Sequence, residues 1–213
     1  MTLDDTLERR MPVLVLLAVI AIVSVIDWKH DLGMWMTRPV LVVTAWENLL
    51  AGDFSRDTLK ILATTVTSAF LHGDMSHLTG NLLFLWVFGV VVCELCGWRW
   101  LVAVFLITGV GGSIGQILVD IDSPIPTLGA SGGLMGVEGF YFGLAIQRPR
   151  PEVEVWPLAR SVSSSQLAAA GAVGVCLDIF GILGSGQGIA YGAHIGGFVT
   201  GIIVSLPAGR WIR

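Results

Sequence analysis

Gly129-Ala130-Ser131-Gly132-Gly133-Leu134-Met135-Gly136 sets a serine among glycines at the start of an apolar segment. Each glycine costs a soluble helix up to about 1 kcal/mol against alanine, so this run would make a poor soluble helix. In a bilayer that cost is offset, because small residues let helices approach closely. The pattern continues downstream. Gly132, Gly136, Gly139 and Gly143 are spaced four, three and four residues apart, which puts them on one seam of a helix. Another segment must press against that seam and come close to Ser131. Packing alone accounts for a lone serine among glycines, so the other polar residues decide whether Ser131 does more.

The composition fits a membrane setting. The chain has 213 residues, 54% of them hydrophobic and 13% charged, with a mean hydropathy of +0.79. Soluble domains carry about 25% charged residues. The expected fold class is an all-α membrane protein. Six spans of about 20 residues would use more than half of the chain and leave little for a separate soluble domain. A net charge of -4 with scattered basic residues excludes a nucleic-acid footprint. Three cysteines make no disulfide framework. Cys93 and Cys96 have a Cys-x-x-Cys spacing but end an apolar helix, where buried small hydrophobes are the simpler reading.

The expected organisation is a polar tail over 1–10, a six-helix membrane domain over 11–208 and a C-terminal tail over 209–213. Residues 11–26 are apolar, and no small-x-small cleavage site precedes Asp27, so the first helix reads as uncleaved. Over 27–58, Trp28, Trp35 and Trp46 alternate with Lys29, Arg38 and Arg56. Tryptophan favours the membrane–water interface, so this reads as a long first loop lying on or partly in one face of the bilayer. Further spans are expected over 74–96, 100–119, 129–147, 166–183 and 191–206. A polar loop over 148–165 and a flexible connection over 184–188 join the later ones. With the N terminus inside, the inner segments hold eight basic residues and the outer ones four. The positive-inside rule therefore favours both termini in the cytoplasm, in an integral multi-pass protein of the cell membrane.

In this topology the second, fourth and sixth helices all start on the outer side. His77 and Asn81, four residues apart on one face, lie in the first turns of the second. Ser131 opens the fourth. His194 opens the sixth, within Gly192-Ala193-His194-Ile195-Gly196-Gly197. Gly197 and Gly201 form a Gly-x-x-x-Gly that can lie on the glycine seam of the fourth helix and bring His194 to Ser131. Polar groups in membrane helices usually face the bundle interior. A serine needs a base within hydrogen-bond reach to become a nucleophile, and neutral histidine is the usual one. Acyl transfer also needs donors for the developing oxyanion. Free backbone N–H groups at a helix start, with Asn81 and His77, would supply them.

The sequence resembles the rhomboid family of intramembrane serine proteases. The resemblance covers roughly residues 59–206. It is carried by Phe70-Leu71-His72-Gly73 with His77-x-x-x-Asn81, by Gly129-Ala130-Ser131-Gly132, and by Ala193-His194-x-x-Gly197-x-x-x-Gly201. It implies a six-helix bundle that cleaves transmembrane segments of other membrane proteins near their outer end, without cofactor or metal. Ser131 would be the nucleophile and His194 the base, as a dyad. His77 and Asn81 would line the oxyanion hole, with His72, Gly129, Gly132 and Met135 in support. Two departures stand out. Leu59-Lys60 or its neighbours occupy the region where the family often has Trp-Arg. Met135 stands where many members stack an aromatic residue on the histidine, and its sulfur is expected to contact the ring instead.

Three other classes fit these residues less well. A metal site from His72, His77 and His194 lacks a His-Glu-x-x-His motif and a carboxylate at the same depth. A non-catalytic rhomboid-like binder of transmembrane helices would be expected to have lost the serine or the histidine. A transporter would show inverted repeats and broken helices. His72 is equally readable as a cap on the second helix. Glu138 lies about 10 Å deeper than Ser131, too far to be its base, and reads as a structural hydrogen-bonding group. Asp178 reads as a mid-helix residue making a buried hydrogen bond, away from the outer face and outside the dyad.

Overall fold

The structure is a computed structural model, and it describes residues 3–31, 35–122, 126–148, 150–155, 159–184 and 189–209. In chain order the helices are α1 Leu3–His30, α2 Pro39–Leu50, α3 Arg56–Thr67, α4 Met75–Cys96, α5 Trp98–Val119, α6 Ser131–Gln147, α7 Ser164–Leu183 and α8 Tyr191–Ala208. A 3-10 turn, Ser68–Phe70, follows α3, and strands β1 Val153–Val155 and β2 Ala159–Val162 lie between α6 and α7.

Among the described residues, five helices are long and apolar enough to cross a membrane: α1 over Arg10–His30, α4, α5, α7 over Ser165–Leu183, and α8. The expected count of six is not met on that measure, because α6 has 17 residues. It is nevertheless the most enclosed helix of the bundle, with Gly132 through Tyr141 all buried. The reason is its glycine seam. A Cβ on Gly139 would overlap the carbonyl oxygen of Phe198, and one on Gly143 would overlap the Ser205 hydroxyl. From the α8 side, a Cβ on Gly197 would overlap the carbonyl oxygen of Gly132, and one on Gly201 that of Gly136. Thr108 of α5 fills the space at Gly136 and donates its hydroxyl to the Gly133 carbonyl at 3.0 Å. α5 meets α8 the same way, since a Cβ on Gly115 would lie 2.6 Å from the Cα of Gly196. Backbone therefore rests on backbone across α5, α6 and α8, as small residues permit in a membrane.

The other helices are fastened around this trio. Val13, Leu16 and Ile20 of α1 pack into the same core as Leu85 and Phe88 of α4. At one end of α1, buried Arg10 donates to Glu94 of α4 at 3.0 Å and to the Glu154 carbonyl of β1 at 2.6 Å. A buried ion pair of this kind must be well hydrogen-bonded to offset its desolvation. Residues 3–10 thus continue α1 rather than forming a tail apart from it.

Two loops carry more order than expected. Residues 27–58 were expected to be loop, but they hold α2 and the start of α3. Pro39 opens α2 without losing a hydrogen bond. Ser55 caps α3 by accepting from the Thr58 N–H at 3.3 Å. The loop 148–165 holds the antiparallel pair β1–β2, in which Val153 and Val155 point inward and are buried. Residues 185–188, the core of the expected flexible connection, lie outside the described residues.

Candidate active site

Three helix starts meet at one end of the bundle. Asp74 caps α4 by accepting from the His77 N–H at 2.8 Å, which leaves His77 and Asn81 on the first two turns. The cap is Asp74, so His72 is free for a different task. Ala130 precedes α6, so the N–H groups of Ser131, Gly132 and Gly133 have no partner within the helix. α8 starts at Tyr191, and His194 lies in its first turn. The starts of α6 and α8 touch one residue away from each candidate, since a Cβ on Gly132 would lie 3.3 Å from the Ala193 carbonyl oxygen.

Gly129 is the point where α4 comes in. Its φ of +118° belongs to glycine, and a Cβ there would lie 2.8 Å from His77 Nε2 and 3.8 Å from Asn81 Nδ2. Both side-chain donors therefore pack against the backbone two residues before Ser131. Asn81 is buried, and its Nδ2 has no hydrogen-bond partner among the described residues. His77 lies within electrostatic range of His194. A small cavity beside Ser131 is lined by Gly132, Gly133, Ser68, Thr65 and Ser113.

His72 holds the loop in front of Ser131. The Ala130 N–H approaches its Nε2 at 3.4 Å, and its Nδ1 lies 2.9 Å from the Ser24 hydroxyl of α1. A backbone N–H only donates, so Nε2 accepts and the ring proton sits on Nδ1, directed at Ser24. Trp28 donates its indole N–H to the His72 carbonyl at 2.6 Å. Burial pushes the imidazole well below its ordinary value, from 6.5 to about 4, and the neighbouring His77 adds to this while Asp74 opposes it. The ring is therefore neutral near pH 7. With both nitrogens engaged, His72 is badly placed for a metal site shared with His77 and His194.

One reading changes. Asp178 does not stand apart from the candidates: its Oδ1 lies 2.9 Å from Nδ1 of His194. The signal was present in the chain, since Asp178 falls five residues before the end of α7 at Leu183, near where α8 begins. Met135 is buried. Its terminal methyl reaches α7, where a Cβ on Gly174 would lie 3.8 Å away. Tyr191 makes an aromatic contact to His194, edge-on at 6.4 Å between centroids and 82° between planes. Glu138 is buried and faces α7, with its Oε1 3.0 Å from where a Cβ of Gly171 would stand.

Comparison with known proteins agrees with this architecture. Residues 60–211 match the Rhomboid domain family. Rhomboid-like protein 11, a chloroplast protein of Arabidopsis thaliana, is 32% identical over 143 residues, which is 65% of this chain and 50% of the relative. Mitochondrial Rhomboid protein 1 of Saccharomyces cerevisiae is 27% identical over 175 residues, 80% of this chain and 48% of the relative. Rhomboid protease GluP of Bacillus subtilis is 26% identical over 149 residues, 68% of this chain and 25% of the relative. The chain spans half or less of the length of these relatives. The family match takes in α4 to α8 and so all three helix starts that converge beside Ser131; this chain is an integral, multi-pass membrane protein of the rhomboid family.

Proposed function

We propose that the protein is an intramembrane serine endopeptidase in which Ser131 is the nucleophile and His194 the base. Asn81 Nδ2 is the observation that carries this reading. A buried amide donor left unpaired costs about 1–3 kcal/mol, and a fold keeps such a group where something else uses it. Here it borders Gly129, beside a helix start with free N–H groups and a serine. That is the arrangement an oxyanion needs. In this scheme His194 takes the Ser131 proton as Oγ attacks a peptide carbonyl, and the new oxyanion is held by Asn81, His77 and the first N–H groups of α6. His194 then gives the proton to the leaving amine, and water releases the acyl group.

The substrate class follows from the setting: a transmembrane segment of another membrane protein, cut near the end at which α4, α6 and α8 begin. By the basic-residue count that end is the outer one, with both termini cytoplasmic in a cell membrane. A helical peptide bond is shielded and its carbonyl is hydrogen-bonded, so the segment must unwind to be cut. The scheme needs neither cofactor nor metal.

Ser131→Ala is expected to abolish both cleavage of a model transmembrane substrate and labelling by a fluorophosphonate probe, with the fold intact. Parent activity should be indifferent to a chelator. Proteolysis that survives in purified Ser131→Ala protein would overturn the assignment. A folded parent that neither labels nor cleaves would instead favour a non-catalytic binder of transmembrane helices.

A further inference from the structure

α7 turns most of its surface away from the bundle. Val173, Leu177, Phe180 and Leu183 are between 59% and 79% exposed. Its buried positions among the described residues are Leu167, Gly171 and Asp178, spaced four and seven apart and so on one stripe. A carboxylate on the inner stripe of a membrane helix is costly and needs a partner. The partner recorded for Asp178 is Nδ1 of His194 at 2.9 Å, with side chains only 11% and 19% exposed.

The bond has a direction. With Asp178 ionised the carboxylate only accepts, so Nδ1 carries the hydrogen and donates it to Oδ1. In a neutral ring that leaves the lone pair on Nε2. Nε2 is the nitrogen a base would turn toward Ser131, since the opposite nitrogen is taken. Tyr191 meets the ring edge-on from its own helix, and the room for Tyr191 is made by Gly181 of α7, where a Cβ would overlap the phenol ring. α7 therefore supports the imidazole twice, directly through Asp178 and indirectly through Tyr191. The other carboxyl on this face, Glu138, lies within electrostatic range of Asp178 and packs by Gly171, one helical turn or more from the imidazole along α7.

We propose that Asp178 is a positioning residue that fixes His194 in the Nδ1–H tautomer and balances the imidazolium formed during attack. The inference rests on the Ser131–His194 reading above. In the step concerned, the Ser131 O–H bond breaks and its proton goes to Nε2 as Oγ bonds the carbonyl carbon. The carbonyl π pair moves to oxygen. The ring then holds a hydrogen on each nitrogen, and Asp178 keeps accepting from Nδ1–H without taking the proton.

The test is the rate at which a fluorophosphonate labels Ser131 in the whole protein in detergent, since labelling needs nucleophile and base but no substrate helix. Asp178→Asn is expected to lower that rate by about 10-fold or more, and kcat on a transmembrane substrate in parallel, with KM and unfolding temperature near those of the parent. Labelling at the parent rate, or a loss confined to KM, overturns the proposal. A second measurement needs no variant fold: 15N shifts of labelled histidine in the parent should place the His194 proton on Nδ1. A proton on Nε2 at neutral pH also overturns it. A parent that does not label at all refutes the dyad itself, which separates the two failures.

Discussion

The candidate nucleophile and the support of its base are held by different physics. Ser131 begins a helix whose Gly136 lies against Thr108 of α5 and whose Gly139 lies on the Phe198 carbonyl of α8, with no room for a methyl group at either. α7 touches the same core through a thin stripe, and at Gly174 a methyl group would find only ordinary contact with Met135. Its ties to the site are made by side chains, Asp178 with His194 and the seat of Tyr191 at Gly181. Backbone contact fixes depth and rotation together and leaves no slack. Side-chain contacts fix one ring and let the rest of the helix adjust. The molecule thus places the candidate nucleophile by close packing and orients the candidate base through side chains of α7.

Breaking the tight region should give the largest effect. Gly201→Val puts a side chain into the carbonyl of Gly136 and within 2.7 Å of the Phe140 nitrogen. Overpacking of this kind costs about 1–3 kcal/mol even where side chains can yield, and here they cannot. No folded protein is expected by size-exclusion chromatography in detergent. A parent-like elution profile and melting curve would show that α6 and α8 are not locked as described.

The next effect is chemical and leaves the packing alone. Asn81→Ala should slow turnover by roughly 10- to 1,000-fold, the usual consequence of losing one oxyanion donor. Ser131 labelling should partly survive. Turnover equal to that of the parent would mean that Asn81 only packs.

The third concerns the loop before Ser131. His72 is a base whose folded value is lowered from 6.5 to about 4, so between these limits the unfolded chain binds the proton first. Its contribution is complete above pH 6.5 and is lost as the pH falls toward 4, by up to about 3 kcal/mol. Unfolding temperature should fall over that window in the parent and less steeply in His72→Gln. Parallel slopes for the two proteins would remove His72 from the account.

The smallest effect sharpens the contrast. Gly174→Ala meets nothing closer than the Met135 methyl at 3.8 Å, so stability should move by no more than about 1 kcal/mol. A loss as large as that from Gly201→Val would show α7 to be packed as tightly as α8.

Much of this was legible in the chain. Apolar runs beginning near Asp74, Gly129 and Tyr191 locate the starts of α4, α6 and α8 to within two residues and bring the polar residues to one level. Length and apolarity found α5 and α7 to within two residues at each end. What failed has physical causes. α2 hides because its tryptophan and the nearby arginines carry an interface signal louder than its short helical period, in which Val42 and Ala45 face inward. β1 and β2 are three and four residues long, too short for any alternation to show. Asp178 was misplaced because its depth was judged from the middle of an apolar run, while what matters is its distance from the helix end that meets α8.

The contacts at Gly197 and Gly201 also bear on how this chain can change. Any replacement of either glycine adds a Cβ that meets a carbonyl oxygen of α6. A carbonyl oxygen belongs to every amino acid, so no exchange at Gly132 or Gly136 can take it away. A selection for second-site suppressors of Gly197→Ala or Gly201→Ala should therefore return true revertants, and none at the facing residues. At Gly174, where the neighbour is the end of a methionine side chain, partner changes remain open. Within one small protein, inheritance is rigid along one helix pair and permissive along the next.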